Sequence, residues 1–191
     1  MNNQSYNFEN HHVYFSQAHD FDILFCVGSG FISKLIMWFT KGSFSHVAMV
    51  CNFDGVAYVM EAQKNGFRLK KPIDWSNKYN YKFIVVRKNH INGELSKMKQ
   101  RRALMLGTRY DYYSFIVSFP RQKWIRFINR FRKYKIQDYP SINSGKVIRK
   151  VFCSESILYI FGLLKTMLSP SEALPYMLEN GFSIVTISKP N

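Results

Sequence analysis

His46-Val-Ala-Met-Val-Cys-Asn-Phe-Asp-Gly-Val-Ala-Tyr-Val-Met-Glu61 is the part of the sequence that indicates the fold most directly. It contains two runs of strand-forming residues, 46–51 and 56–61, separated by Asn-Phe-Asp-Gly at 52–55. Asn, Asp and Gly in so short a connection are typical of a hairpin turn. The stretch therefore predicts a β-hairpin and, with it, an antiparallel sheet.

The same hairpin places His46 and Glu61 on one face of the predicted sheet. A four-residue loop at 52–55 would set them directly opposite each other, with Cβ atoms about 5 Å apart. A two-residue turn at Asp54-Gly55 would make them diagonal neighbours, still on one face. In either register a carboxylate beside the imidazole would fix its tautomer and stabilise the imidazolium, as the orienting half of a catalytic triad does. Such pairs also occur as surface or structural pairs, so both interpretations stay open.

Cys153 is the candidate nucleophile, because it lies where a basic stretch changes into a predicted apolar helix at 154–168. A thiol at a helix N-terminus is expected to have a lowered pKa, and the N–H groups there can stabilise an oxyanion. Cys26 and Cys51 lie inside apolar strands and are interpreted as core residues. Three scattered cysteines predict no disulfide framework.

No cofactor is predicted. The side chains of His46, Glu61 and Cys153 are of types that bind zinc, but no local pair of ligands supports a metal site.

The remaining patterns predict an α+β fold. Strands are expected at 22–27, 81–87 and 183–187, and helices at 31–39, 95–106, 154–168 and 171–178, the last with a break at Pro175. Residues 1–20 are polar and are interpreted as a loosely ordered arm, followed by a single domain at 21–191.

Composition limits the class of protein. The chain has 191 residues, of which 47% are hydrophobic, so it can bury a core and is not intrinsically disordered. Its net charge of +15 predicts an anionic partner. The N-terminus lacks the pattern of a signal peptide, and the apolar runs at 31–39 and 157–168 are shorter than a membrane span. We therefore expect a cytoplasmic or peripheral membrane protein.

Residues 112–137 form a basic, aromatic segment with seven Lys or Arg, eight aromatic residues and no acid. Helical spacing separates an apolar stripe from a basic face, with Trp124, Phe127, Ile128 and Phe131 on the stripe and Arg126, Arg130 and Lys133 on the face. This separation favours contact with an anionic membrane surface over stacking on nucleic acid bases. The aromatic residues would alternatively belong to the core, with the cations in solvent.

Six short motifs together resemble the circularly permuted NlpC/P60 proteins, in the YiiX/YebB-like branch of the papain-like thiol hydrolases. In order they are Asp22-Ile-Leu-Phe, Phe44-Ser-His46-Val-Ala-Met-Val, Met60-Glu61-Ala62, Val86-Arg87, Gly107-Thr-Arg-Tyr110-Asp111 and Phe152-Cys153-Ser-Glu155. The resemblance covers about residues 21–187. The chain departs from the pattern at Phe21, where many members have Gly, and at 112–137, which resembles an insertion or lid.

The resemblance implies an antiparallel sheet or partial barrel that carries the His and packs on the helix of the Cys. It implies that His46 is the base, Glu61 its orienting carboxylate and Cys153 the nucleophile. Tyr110 matches the Tyr of the family's Tyr-Asp motif and would supply a hydroxyl for transition-state support, or else pack structurally. Cell-wall relatives usually carry an export signal, so its absence argues against a peptidoglycan substrate.

Two functions follow as hypotheses. The first is a cysteine hydrolase or acyltransferase that cleaves an amide or ester bond in a peptide, an isopeptide or a lipid-derived substrate, through a thioester on Cys153. The second is a protein with a vestigial site that binds an anionic membrane, or less favourably nucleic acid, through the segment 112–137.

Overall fold

The computed structural model describes residues 11–63, 66–79, 82–91, 93–106, 108–110, 150–151, 153–163 and 168–185. In chain order the elements are α1 (His11–Ser16), β1 (Ile23–Val27), α2 (Phe31–Thr40), β2 (His46–Phe53), β3 (Val56–Gln63), β4 (Gly66–Lys70), α3 (Pro72–Tyr79), β5 (Lys82–Lys88), α4 (Leu95–Met105), β6 (Arg109–Tyr110), β7 (Lys150–Val151), α5 (Cys153–Ile160), α6 (Pro170–Glu179) and β8 (Phe182–Val185). This is the α+β class that the sequence predicts.

Six strands form one antiparallel sheet in the order β4-β3-β2-β1-β5-β8, and β6 pairs with β7 in a separate parallel ladder. Because side chains alternate along a strand, the large sheet has two buried faces. One face packs against apolar side chains of α4, α5 and α6, including Met98, Ile157 and Leu174. The other face packs against Tyr14 of α1 and Trp75 of α3. The sheet therefore lies between two layers of helices, with α4, α5 and α6 on one face and α1 and α3 on the other.

The hairpin turn is the shorter of the two alternatives. Phe53 pairs with Val56, so only Asp54 and Gly55 connect the strands. Both have positive φ, 51° and 81°, as a type I′ turn requires. Glu61 consequently pairs with Ala48 and lies diagonally to His46.

Two predicted helices differ from those observed. The helix expected at 154–168 begins at Cys153 and ends at Ile160. Gly162, with φ 71°, follows its end, and the N–H groups of Gly162 and Leu163 donate to the carbonyls of Tyr159 and Leu158 in a Schellman motif. Gly162 is a stop signal that accounts for the helix being shorter than predicted.

The helix α6 continues through Pro175, where a break was predicted. Its first turn is fixed by a capping box between Ser169 and Glu172, and Leu174 and Met177 anchor it in the core. Capping and burial together outweigh the hydrogen bond that the proline cannot make.

The second half of the segment 1–20 also differs from the predicted arm. Residues His11–Ser16 form α1, and the buried Tyr14 hydroxyl donates to Asp22 at 2.9 Å. Residues 1–10 lie outside the described residues. Within the described part of the chain, no helix has the length and apolar character to cross a membrane.

Candidate active site

His46 is the first residue of β2, and the loop before it is fixed to two other elements. The backbone N–H of Ser45 donates to the carbonyl of Cys26 at 2.9 Å, and the N–H of Gly28 donates to the Ser45 hydroxyl at 2.9 Å. The N–H of Phe44 donates to the Ser171 hydroxyl at 2.9 Å. These bonds connect the strand end that carries His46 to β1 and to α6.

His46 and Glu61 approach each other across the hairpin, with 3.5 Å between Nε2 and Oε2. This distance is at the outer limit of a hydrogen bond, but it is close contact for an ion pair. Glu61 is 2% exposed. The pair that the hairpin pattern predicts is therefore formed, in the diagonal register.

Glu61 has two further partners, which the sequence analysis missed. The Lys70 ammonium lies 3.0 Å from Oε1, and the indole N–H of Trp75 donates to Oε2 at 3.1 Å. Lys70 lies on β4, where Arg68 pairs directly with Glu61. A third strand following the hairpin, with Lys70 on the same face as Glu61, was the sequence signal that could have predicted this contact. Trp75 reaches the carboxylate from α3, which packs on the face of the sheet opposite α5. Local sequence does not predict this packing.

Cys153 is the first residue of α5 and is 3% exposed. His46 interacts with Cys153 as well as with Glu61, and both side chains raise the pKa of its imidazole. The neighbouring Ser154 hydroxyl donates to the carbonyl of Leu168, and the Ser156 hydroxyl donates to the Cys153 carbonyl at 2.7 Å. The nucleophile candidate therefore starts a helix, as predicted, and its first turn is fixed by side-chain hydrogen bonds.

The charges of this group are strongly coupled. Burial alone would lower the pKa of His46, but hydrogen bonds and the negative charges of Cys153 and Glu61 raise its pKa to about 10. Burial alone would raise the pKa of Glu61, but His46 and Lys70 lower its pKa to about 2. The arrangement favours a protonated His46 imidazolium beside an ionised Glu61 carboxylate.

The other two cysteines are different. Burial raises the pKa of Cys26 well above its usual value, and it raises the pKa of Cys51 to about 12. Both side chains are fully buried in the sheet, as expected for core residues.

Tyr110 lies on β6, and its backbone pairs with Val151, two residues before Cys153. This pairing places only the backbone of Tyr110 near the site. The Tyr110 side chain lies outside what the structure describes. The candidate surface contacts of the segment 112–137 also lie outside the described residues, namely Trp124, Arg126, Phe127, Arg130, Phe131 and Lys133.

The same residues do not fit a metal ion. Among the described residues, no group of three or more His, Cys, Asp or Glu is placed to bind a metal together. His46 lies between Cys153 and Glu61, and the Glu61 carboxylate already accepts from Lys70 and Trp75. We therefore derive no step that uses a metal.

A solved structure supports the fold. The chain is similar to the crystal structure of the metalloprotein YiiX of DUF1105 from Escherichia coli O157:H7, with 19% identity and a TM-score of 0.52. The similarity covers 91% of this chain and 99% of that one. No protein-family model and no curated protein matches the sequence. The chain therefore has a YiiX-like fold, in agreement with that part of the resemblance seen in the sequence.

Proposed function

We propose that the protein is a cysteine hydrolase or acyltransferase that cleaves amide or ester bonds through Cys153, His46 and Glu61. The observation that carries the proposal is the position of His46. Its imidazole contacts a cysteine at a helix N-terminus and a buried carboxylate at the same time. This is the arrangement of nucleophile, base and orienting group that catalytic triads use, with a carboxylate as the orienting group.

In the first step the Cys153 thiolate attacks the carbonyl carbon of the substrate. The S–C bond forms, and the carbonyl electron pair moves onto the oxygen. The first N–H groups of a helix have no acceptor within that helix, so those of α5 can stabilise this oxyanion. The tetrahedral intermediate collapses as the C–N or C–O bond breaks. His46 gives its proton to the leaving amine or alcohol, and a thioester remains on Cys153.

In the second step neutral His46 takes a proton from water, or from an acceptor amine or alcohol. The activated oxygen or nitrogen attacks the thioester carbonyl, and the Cys153 thiolate leaves. With water the product is a carboxylic acid, and with another acceptor it is a transferred acyl group. Either reaction restores the thiolate and the imidazolium, so atoms and protons balance.

Glu61 stabilises the imidazolium before and after each step. Lys70 and Trp75 hold its two oxygens in place and help to keep it ionised, so the carboxylate cannot rotate freely away from His46. Lys70 and Trp75 are thus positioning residues. The reaction that this site suits is acyl transfer on a peptide, an isopeptide or a lipid-derived amide or ester.

Selective alkylation tests the proposal. At mildly acidic pH, iodoacetamide should modify Cys153 well ahead of Cys26 and Cys51, because only Cys153 contacts a protonated imidazole. Peptide mapping by mass spectrometry identifies the modified residue. Cys51→Ala is the matched control, and it should leave the rate of total labelling unchanged. If Cys153 reacts no faster than the two core cysteines in the folded protein, it is not the nucleophile.

A further inference from the structure

The helix α2 is unusual because four of its large apolar side chains are exposed. Within its ten residues, none is buried. Phe31, Ile32, Trp38 and Phe39 are 80%, 55%, 69% and 44% exposed. A surface helix of a globular domain normally turns its apolar stripe toward the core. This helix turns large aromatic side chains outward.

The exposed apolar residues form one continuous stripe. With Leu35, which is partly exposed, they occupy positions i, i+1, i+4, i+7 and i+8 of the helix. Such spacing places all five side chains on one face. We call this face the α2 stripe, made of Phe31, Ile32, Leu35, Trp38 and Phe39. The rings of Trp38 and Phe39 contact each other at 4.8 Å between centroids.

Cations border the α2 stripe. Lys34 and Lys41 are exposed and seven residues apart, so they lie on the same side of the helix. Residues 23–53 contain no Asp or Glu. Lys41 also adopts a left-handed conformation with φ 50°, although helices usually place Gly at that position. A cation is thus kept at the end of the stripe despite the strained backbone.

We propose that the α2 stripe is a docking surface for a bilayer that contains anionic lipids. Aromatic and aliphatic side chains would enter the boundary between headgroups and acyl chains, and Lys34 and Lys41 would contact lipid phosphates. Ten helical residues extend about 15 Å, which suits a helix lying in the interface and excludes one that spans the bilayer.

Charge favours this occupant over two others. A second copy of the chain would also carry a net charge of +15 and would bring its own Lys34 and Lys41 to this face, so like charges would oppose the contact. The segment 112–137 is itself basic, with seven cations and no acid, so it is a poor match for a face bordered by lysines. An anionic lipid surface complements both the apolar stripe and its cations. The proposal does not depend on the catalytic proposal.

Vesicle sedimentation with the full chain tests it. The double variant Phe31→Ser with Trp38→Ser should bind at least about tenfold more weakly to vesicles of mixed phosphatidylcholine and phosphatidylserine, because two exposed aromatic anchors are lost. The matched control, Val56→Ser with Leu104→Ser, removes side chains that are 52% and 59% exposed elsewhere. That control should bind as the unaltered protein does. Vesicles of phosphatidylcholine alone should bind less protein.

Further variants separate the occupants. Lys34→Gln with Lys41→Asn should weaken binding to the mixed vesicles. Added salt should weaken binding of the unaltered protein in the same way. Asn is chosen at position 41 because it tolerates the left-handed conformation. Trp38→Phe should retain most of the binding and lose the Trp38 part of any blue shift in tryptophan fluorescence. Because α2 contributes no buried residue, circular dichroism should be unchanged.

Three results would overturn the proposal. The first is unchanged vesicle binding by a folded Phe31→Ser, Trp38→Ser variant. The second is a change from dimer to monomer in that variant without lipid, which would make the stripe a contact between copies. The third is loss of vesicle binding only in the triple variant Arg126→Gln, Arg130→Gln, Lys133→Gln, which would transfer the function to the segment 112–137.

Discussion

Two buried carboxylates, Asp22 and Glu61, have partners that differ in whether they can exchange a proton near neutral pH. Asp22 precedes β1 and accepts two bonds from Arg87, at 2.7 and 2.8 Å, one from the Tyr14 hydroxyl at 2.9 Å and one from the backbone N–H of His19 at 2.9 Å. Glu61 instead contacts His46, Lys70 and Trp75. We call these groups the Asp22 cluster and the Glu61 cluster.

The partners of Asp22 do not exchange protons near neutral pH. Hydrogen bonding to Asp22 raises the pKa of Arg87, and burial followed by the charge of Asp22 raises the pKa of Tyr14. The Glu61 cluster contains a histidine that contacts a thiol. Burial and ion pairing alone therefore do not make a carboxylate a candidate for catalysis. What distinguishes one is a partner that can gain and lose a proton next to a nucleophile.

The largest expected effect is on the reactivity of Cys153, when His46 is removed from the Glu61 cluster. His46→Ala should slow adduct formation of an activity-based electrophile on Cys153 by about 10²-fold or more, and Glu61→Gln by at least about tenfold. The double variant should be little slower than His46→Ala alone, because Glu61 acts through His46. Adduct formation is followed by intact-protein mass spectrometry.

Tyr14→Phe, in the Asp22 cluster, is the control and should leave this rate unchanged. Independent, multiplying effects of the two changes would show that the pair His46 and Glu61 is structural. The same conclusion would follow if folded Glu61→Gln reacted at the rate of the unaltered protein.

The second effect is on stability and concerns the Asp22 cluster. Asp22→Asn leaves the Arg87 guanidinium without its carboxylate, and it should lower the free energy of unfolding by about 2–3 kcal/mol, since Arg87 is partly exposed. Urea unfolding measures this change. The folded fraction should still react with the electrophile at the normal rate. A slower reaction in that fraction would connect the two clusters and remove the distinction between them.

The sequence predicted the pair of His46 and Glu61 in the Glu61 cluster because both residues lie on one hairpin. Alternating strand residues and the turn at Asp54-Gly55 are sufficient to predict His46 and Glu61 on one face, and only the register stayed open. The start of α5 at Cys153 also follows from a change in local composition. The alternation of side chains along the strands and the composition at the helix start were sufficient to predict the pair of His46 and Glu61 and the position of Cys153.

The rest depended on contacts between distant elements. Lys70 reaches Glu61 only because β4 joins the hairpin, and Trp75 only because α3 covers the outer face of the sheet. The Asp22 cluster similarly joins α1, β1 and β5 through Tyr14 and Arg87. No local pattern encodes such packing, which is why residues 11–16 were expected to belong to an arm.

The smallest expected effect is a change in acid stability that Lys70 controls. The pKa of Glu61 lies near 2, below its ordinary value of 4.5, so its contribution to stability is complete above pH 4.5 and is lost as the pH falls through about 2. Lys70→Met removes one cause of the lowered pKa. The pKa of Glu61 should rise toward 4.5, so the loss of stability on acidification should be smaller and should be complete at a higher pH than in the unaltered protein.

The matched control is Lys88→Met, because Lys88 pairs with Glu94, whose side chain is 48% exposed and well screened by solvent. Urea unfolding across the acid range should give nearly the same pH dependence for this variant as for the unaltered protein. Lys70→Met should also slow adduct formation on Cys153 modestly, because the Glu61 carboxylate loses a contact that holds it in place beside His46. A shift in acid stability without any change in adduct formation would show that Lys70 serves the fold alone. Glu61 would then orient His46 without help from the strand beside it.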